Sequence, residues 1–360
     1  MTTETKQPDR QKMQETAELL RGMFTGAYVS GMIALGLELG LYRALAGAGA
    51  VTSEELAERT GLRERWLREW LRGQAAAHVL EYDGHGRFEL TPEGAAFLAD
   101  EDSLLYLGSN FSGLRQRLAA LERLPESFRS GLGHTWDDRG PEHAAGTELL
   151  FRNWYRLVLV EQALPALAGV VEKLQAGGAV ADVGCGSGIA LVEMARAFPR
   201  SRFHGYDISR HALERAAQNA AAHGVTNVAW HRADVDPLPG DASFDLITTF
   251  DCLHDMTHPE VAAAAIRAAI AADGAWFIAD INGAATFEEN LAENRNAPMM
   301  YAMSVLSCMS SALSEAGGAG LGTLGLPEPA MRELVLGAGF TTFRRVDLPH
   351  PVNAFYEARA

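Results

Sequence analysis

The run Asp182-Val183-Gly184-Cys185-Gly186-Ser187-Gly188 sets three glycines at alternate positions, after one short apolar run and before a helical one. Glycines there remove Cβ atoms where a ligand must lie against the backbone. Asp207 closes the next apolar run, 19 residues beyond Gly188. A carboxylate at that place can accept from both hydroxyls of a ribose. Asp234 and Val235 follow a third run, where an aspartate can accept from the exocyclic amine of a base. No lysine or arginine stands in the glycine loop, and Asp182 lies two positions ahead of Gly184. That combination suits a nucleoside ligand carrying positive charge better than one carrying phosphates. A fourth run ends in Phe250-Asp251-Cys252-Leu253-His254-Asp255-Met256. Imidazole is a base with a pKa near neutrality, and a residue just past a sheet strand can stand where open sheets bind ligands. The same histidine can equally cap the helix that begins near Pro259, or pack beside Cys252. Glycine loops also form plain turns, and a dinucleotide-binding loop shares this spacing.

These residues need a sheet to position them. AVADVG, FHGYDI, VAWHRA, FDLITTF and AWFIADI read as strands, and FRRVDL and NAFYEAR as two closing ones. Alanine-rich helices such as HALERAAQNAAAHG and PEVAAAAIRAAIAA lie between them. This alternation predicts an α/β fold, a Rossmann-like doubly wound seven-stranded sheet covered on both faces. A long insertion, 283–326, holds Met299, Met300, Met303 and Met309 with Tyr301, Leu306 and Leu313. Methionines at helical spacing make adaptable core, or here a lid over an apolar acceptor. Glycines 317, 318, 320, 322 and 325 make the loop after it either mobile or closely packed.

The first part of the chain has a different rhythm. Residues 17–45 carry apolar residues at helical spacing with Gly31, Gly36 and Gly40, which predicts a packing or dimer surface or an ordinary helix pair. Thr52 or Ser53 can cap a short helix that ends at Gly61. A second helix from about Arg63 sets Trp66, Leu67, Trp70 and Leu71 on one face, and 79–82 with 87–90 read as a hairpin. Helix, turn, helix, hairpin is a winged helix. Its arginines 63, 65, 68 and 72 raise the possibility of DNA binding, yet residues 1–100 hold 11 Lys and Arg against 15 Asp and Glu. A phosphate-contacting surface should be net basic, so nucleic acid is disfavoured as a partner. The expected domains are a helical winged-helix dimerisation domain, 1–145, and a ligand-binding domain, 146–360.

The whole composition agrees. The 360 residues are 48% hydrophobic with a formal net charge of -15, room for two cores and no polyanion partner. Cys185, Cys252 and Cys308 are scattered without paired spacing. Neither a disulfide framework nor a metal site is expected, and a reducing cytoplasm fits. The polar N-terminus is unlike a signal peptide. Glu38 and Arg43 interrupt 31–50, so no membrane span is expected.

Taken together, the glycine loop, Asp207 and Asp234 resemble class I S-adenosylmethionine (SAM)-dependent methyltransferases over residues 178–360. The Leu253-His254-Asp255-Met256 segment resembles the Leu/Cys-His-Asp-Trp segment of winged-helix small-molecule O-methyltransferases, with Met256 in place of the tryptophan. FDCLHDMTHPE and GGAGLGTLG are most similar to an actinobacterial winged-helix group of unassigned substrate. The resemblance implies S-adenosyl-L-methionine bound by Asp182, Gly184, Gly186, Gly188, Asp207, Ile208, Asp234, Val235, Phe250 and Asp251. It implies a small, largely apolar acceptor, His254 as general base, Asp280 as the carboxylate that orients it, and a homodimer through the N-terminal domain. Glu315 is a candidate for a second carboxylate. Open alternatives are a SAM-sensing winged-helix regulator and an N- or S-methyltransferase acting by proximity without a base.

Overall fold

Capping chemistry sets the helices of the N-terminal unit. The computed structural model describes residues 7–360. Asp9 accepts from the Gln11 and Lys12 amides and starts α1 (Arg10–Glu38). After Gly40, at φ 68°, comes α2 (Leu41–Leu45). A capping box between Thr52 and Glu55 starts α3 (Ser53–Thr60), and Gly61 at φ 71° stops it. The next helix, α4 (Glu64–Ala76), buries Leu67, Trp70, Leu71 and Gln74. Trp70 meets the Tyr42 ring at 5.3 Å and donates its Nε1–H to the Met32 carbonyl. Gly36 makes this approach possible, since a Cβ there would lie 2.5 Å from the Trp70 ring.

Trp66 departs from expectation and is 80% exposed. At 100° per residue it lies about 90° from the centre of the buried stripe. The hairpin is shorter than expected, β1 (Glu81–Tyr82) with β2 (Phe88–Glu89), and Val51 extends it by pairing with Phe88. Leu80 and Leu90 leave the ladder to enter the core of this unit. A fifth helix, α5 (Pro92–Leu98), follows with Thr91 as its cap.

The chain divides into two compact units at Arg115/Gln116, so residues 116–145, expected with the helical domain, pack with the larger unit. Backbone and side-chain bonds both hold them there, Arg139 donating to Ser307 and Asp137 accepting from Ser209 and Arg210. Leu313 accepts from the Gly133 amide and Ser310 from that of His134, while a Cβ on Gly133 would collide with the Ser310 carbonyl.

All seven expected sheet strands form: β3 (Ala179–Val183), β4 (Arg202–Asp207), β5 (Val228–Arg232), β6 (Phe244–Phe250), β7 (Ile270–Ile281), β8 (Thr342–Val346) and β9 (Asn353–Arg359). Their order is β5-β4-β3-β6-β7-β9-β8, parallel except for β9, which runs antiparallel to both neighbours. The order reverses between β3 and β6, the switch point where such sheets bind ligands at their carboxyl ends. Strand β7 shows why the sheet is buried twice over. Phe277 enters one core with Phe250 and Phe355, while Trp276 and Ile278 enter the other with Tyr356 and Phe340. No helix of the described residues is long and apolar enough to cross a membrane.

Candidate active site

The glycine loop follows β3 as its spacing requires. Gly184, Gly186 and Gly188 all have positive φ, at 74°, 53° and 70°. A Cβ on Gly184 would lie 2.7 Å from the Cys252 sulfur, and one on Gly188 would enter the Trp230 ring. A Cβ on Gly186 would meet nothing within 4 Å. Two of the glycines thus serve close packing, and the middle one faces open space. Asp207 ties the loop down, accepting from the Gly186 amide at 2.8 Å and the Ser209 amide at 2.8 Å. Burial nevertheless holds the Asp207 carboxyl above its ordinary range. Asp182 lies opposite Thr248 in the ladder and accepts its hydroxyl at 2.7 Å. Burial outweighs that bond and pushes the Asp182 carboxyl up to about 7.

Around the loop, Ile208 (53% exposed) and Val235 (69%) present apolar surface to solvent beside the carboxyl ends of β4 and β5. Asp234 is engaged by Arg232, which donates to both its oxygens at 2.7 and 2.5 Å. Phe250 is buried. Asp251 takes a left-handed backbone, φ 53°, and accepts from Asn353 Nδ2 at 2.5 Å. Burial first, and Asp280 next, push the Asp251 carboxyl up to about 8.

His254 stands on one helical turn (Leu253–Asp255) beyond β6, wholly within the protein. Its Nδ1–H donates to Asp280 at the end of β7 over 2.6 Å, and Asp280 also accepts the Ile281 amide. The expected pair is therefore brought together. On the other side of the ring, Asp255 Oδ1 lies 3.3 Å from Nε2, an ion-pair distance without hydrogen-bond alignment. Burial works to lower the imidazole pKa, but Asp280 and Asp255 outweigh it and hold it well above the ordinary value. Glu315 is not beside this ring. It pairs with His258 at 3.1 Å, and His258 begins the next helix as expected. Cys308 lies against His254 and Asp255 instead. Cys185 and Cys252 have thiols raised by burial, as packing residues should.

Several contributors were not foreseen. Pro141–Trp154 passes into a widened π-helical stretch, Tyr155–Ala163, of a kind often found at functional sites. Phe151, Trp154 and Tyr155 from this segment line a cleft with Phe250, Asp251 and His350. Trp154 stacks on Phe355 at 5.0 Å. The spacing 151, 154, 155 is one helix face, and the aromatic character of that face was the available signal. Glu148 grips Arg215 and Asn219, and Asn219 donates to the Ser187 carbonyl, so a buried relay steadies the glycine loop. Within the insertion, Gly322 and Gly318 are closely packed, since a Cβ would collide with Ser304 or with the Ala312 carbonyl.

Similarity to known proteins agrees with this geometry. A family model described as a methyltransferase domain matches residues 174–321, and one described as an Rv2258c-like winged HTH domain matches 27–100. The release factor glutamine methyltransferase of Xylella fastidiosa strain 9a5c is 36% identical over 110 residues, 30% of this chain and 38% of that protein. The chain thus spans well under half the length of that relative. Among solved structures, a nominal O-methyltransferase of Nostoc punctiforme superposes with a TM-score of 0.71 at 19% identity, covering 95% of this chain and 98% of that one. Human N-acetylserotonin methyltransferase, solved with SAM, superposes at 0.66 and 17% identity, covering 99% of each chain. At such identities the structural likeness speaks for the fold alone. The chain thus carries a methyltransferase domain over residues 174–321, preceded by an Rv2258c-like winged helix-turn-helix domain over residues 27–100.

Proposed function

We propose that this protein transfers the methyl group of S-adenosylmethionine to the hydroxyl oxygen of a small, largely apolar acceptor, with His254 as general base. The observation that carries the reading is the buried His254–Asp280 pair at the ends of β6 and β7, beside the switch point of the sheet. The residues fit the cofactor. Open space above Gly186 lies near the apolar rim of Ile208 and Val235, and Asp207 keeps lone pairs for ribose hydroxyls. Asp182 and Asp251, both held up by burial, would return to the charged form beside an ammonium group. When bound, SAM supplies a methyl group on a sulfonium, an excellent leaving group. The protein's part is then mainly in-line positioning. Asp280 fixes the tautomer of His254 by taking Nδ1–H, leaving Nε2 to receive the acceptor's proton once the ring is neutral.

The methionine-bearing insertion favours an apolar acceptor over a nucleic acid. On α4, Arg65 and Arg68 are paired with Glu69 and Glu64 of the same helix, which leaves little charge for phosphates. The apolar stripe Leu19, Leu20, Met23, Phe24 and Tyr28 of α1 is exposed, Phe24 by 65%, and we assign it to a second copy of the chain. Three free thiols suit a reducing compartment such as the cytoplasm.

The decisive experiment incubates the protein with methyl-labelled SAM and a metabolite extract, beside His254→Ala. Label entering a small molecule with the native protein alone supports enzyme and base together. Label entering with both keeps the transferase and removes the base. SAM binding without transfer, joined to saturable and salt-sensitive duplex binding that needs Arg65 and Arg68, would turn the reading toward a SAM-sensing regulator.

A further inference from the structure

His254, Asp255 and Cys308 are separated by up to 54 positions in sequence, yet their donor atoms lie within 4.8 Å of one another and all three residues are buried. Asp251, Asp255 and Asp280 surround a single imidazole. Two carboxylate oxygens there, Asp255 Oδ1 and Asp280 Oδ2, are buried without a hydrogen-bond partner, and Asp255 is only 8% exposed. Arg139 gives its hydrogen bonds to Ser307 and His143, so it acts on Asp255 only across space. At contact, Asp255 is compensated only by the His254 ring across 3.3 Å and by the Cys308 side chain, so its Oδ1 keeps an acceptor position without an aligned hydrogen bond.

The donor set says what could take that position. Imidazole nitrogen, carboxylate oxygen and thiolate sulfur together are ligands for zinc-class cations. Ligand bonds of about 2.0–2.3 Å set tetrahedral donors roughly 3.3–3.6 Å apart. The Nε2–Oδ1 separation is already 3.3 Å. The supporting shell is present as well. His254 donates its other ring N–H to Asp280, the carboxylate–histidine arrangement usual around such cations. Thr323 donates to the Cys308 sulfur at 2.9 Å.

We propose that His254 Nε2, an Asp255 carboxylate oxygen and Cys308 Sγ form a three-ligand site for a zinc-class divalent cation. Binding displaces the thiol proton to solvent and engages the lone pair on Nε2. Resting on the reading of His254 as base, the cation and the acceptor's proton compete for that lone pair, and the cation inhibits transfer. The three donors come from the turn after β6 and from a distant helix, which is why no ligand spacing is visible along the chain.

The test titrates reduced, chelator-treated full-length protein with Co2+ alone, then displaces it with Zn2+. One equivalent should bind with a thiolate-to-cobalt charge-transfer band. Cys308→Ser should abolish the band, and Cys308→Ser and Asp255→Asn should each weaken Zn2+ binding at least about tenfold. Unchanged SAM affinity by calorimetry serves as the check on folding. Absence of the band in the native protein, or equal Co2+ binding by native and both variants, overturns the site. If that happens while methyl transfer persists in chelator, the proposed function stands. Cation binding with transfer stimulated by Zn2+ keeps the site and overturns the free histidine as base.

Discussion

At the ends of β3 and β4 the groups proposed to face the cofactor are largely backbone: Gly184 and Gly188 are closely packed, Gly186 borders open space, and Asp207 accepts from the Gly186 amide. At the ends of β6 and β7 the proposed catalytic groups are titratable side chains packed on one another, His254 between Asp280 and Asp255. The first region depends on where Cβ atoms are absent; the second depends on where charge is compensated. Damage to the first should therefore appear as lost affinity. Damage to the second should appear as lost rate or a displaced pH profile, with cofactor affinity intact.

The largest expected effect tests that separation. His254→Ala should lower methyl transfer by about 10²–10⁴-fold, the range for losing a general base, while SAM affinity by calorimetry stays within twofold. A parallel loss of affinity would mean that the two regions are one coupled unit. Next in size is Asp207→Ala. It removes a carboxylate that organises the Gly186 and Ser209 amides and would accept from a ribose. A loss of about 2–3 kcal/mol, roughly 30- to 150-fold in SAM dissociation constant, is expected. Unchanged calorimetric affinity would sink the assignment of Asp207 to the cofactor.

The pH profile sharpens the contrast further. His254 accepts a proton only when neutral, and its flanking carboxylates hold its pKa well above the ordinary value. Transfer should thus climb as pH rises through that elevated value and fall away below it. Asp280→Asn removes the foremost of the raising influences, so the profile should move to lower pH, with a lower maximal rate. A profile that stays in place would remove Asp280 from the activation of His254.

The same contrast explains what could be read from residues alone. Backbone devices announce themselves locally: Gly184 to Gly188 after an apolar run, Thr52 with Glu55, Gly61. The pairing of His254 with Asp280 was legible through the family resemblance, and it forms because parallel β6 and β7 bring the turn after one strand beside the end of the other. Cys308 and Asp255 were not, since their meeting depends on how the 297–312 helix lies, and no local pattern encodes that. Glu315 was misplaced for the same reason. It is far enough along the insertion to reach His258 rather than His254. Trp66 looked buried because a tryptophan suggests burial, although its angle on α4 sets it beside the stripe.

Tyr155 offers the smallest effect and the finest test of the boundary between the regions. Burial first, then Asp182 and Asp251, holds its hydroxyl well above the ordinary phenol range, so it stays a proton donor throughout the working pH range. Asp182 belongs to the cofactor end and Asp251 to the strand that leads to His254, so the ring stands where the two regions meet. Tyr155→Phe keeps the contact with Phe250 at 5.3 Å and removes only the hydroxyl. If that hydroxyl serves the cofactor end, SAM affinity should fall about 3- to 8-fold, one hydrogen bond of roughly 1 kcal/mol, and the pH profile should not move. A profile displaced at unchanged affinity would instead assign Tyr155 to the charge balance around His254. The cofactor end would then be built from the glycine loop and its carboxylates without help from the aromatic helix.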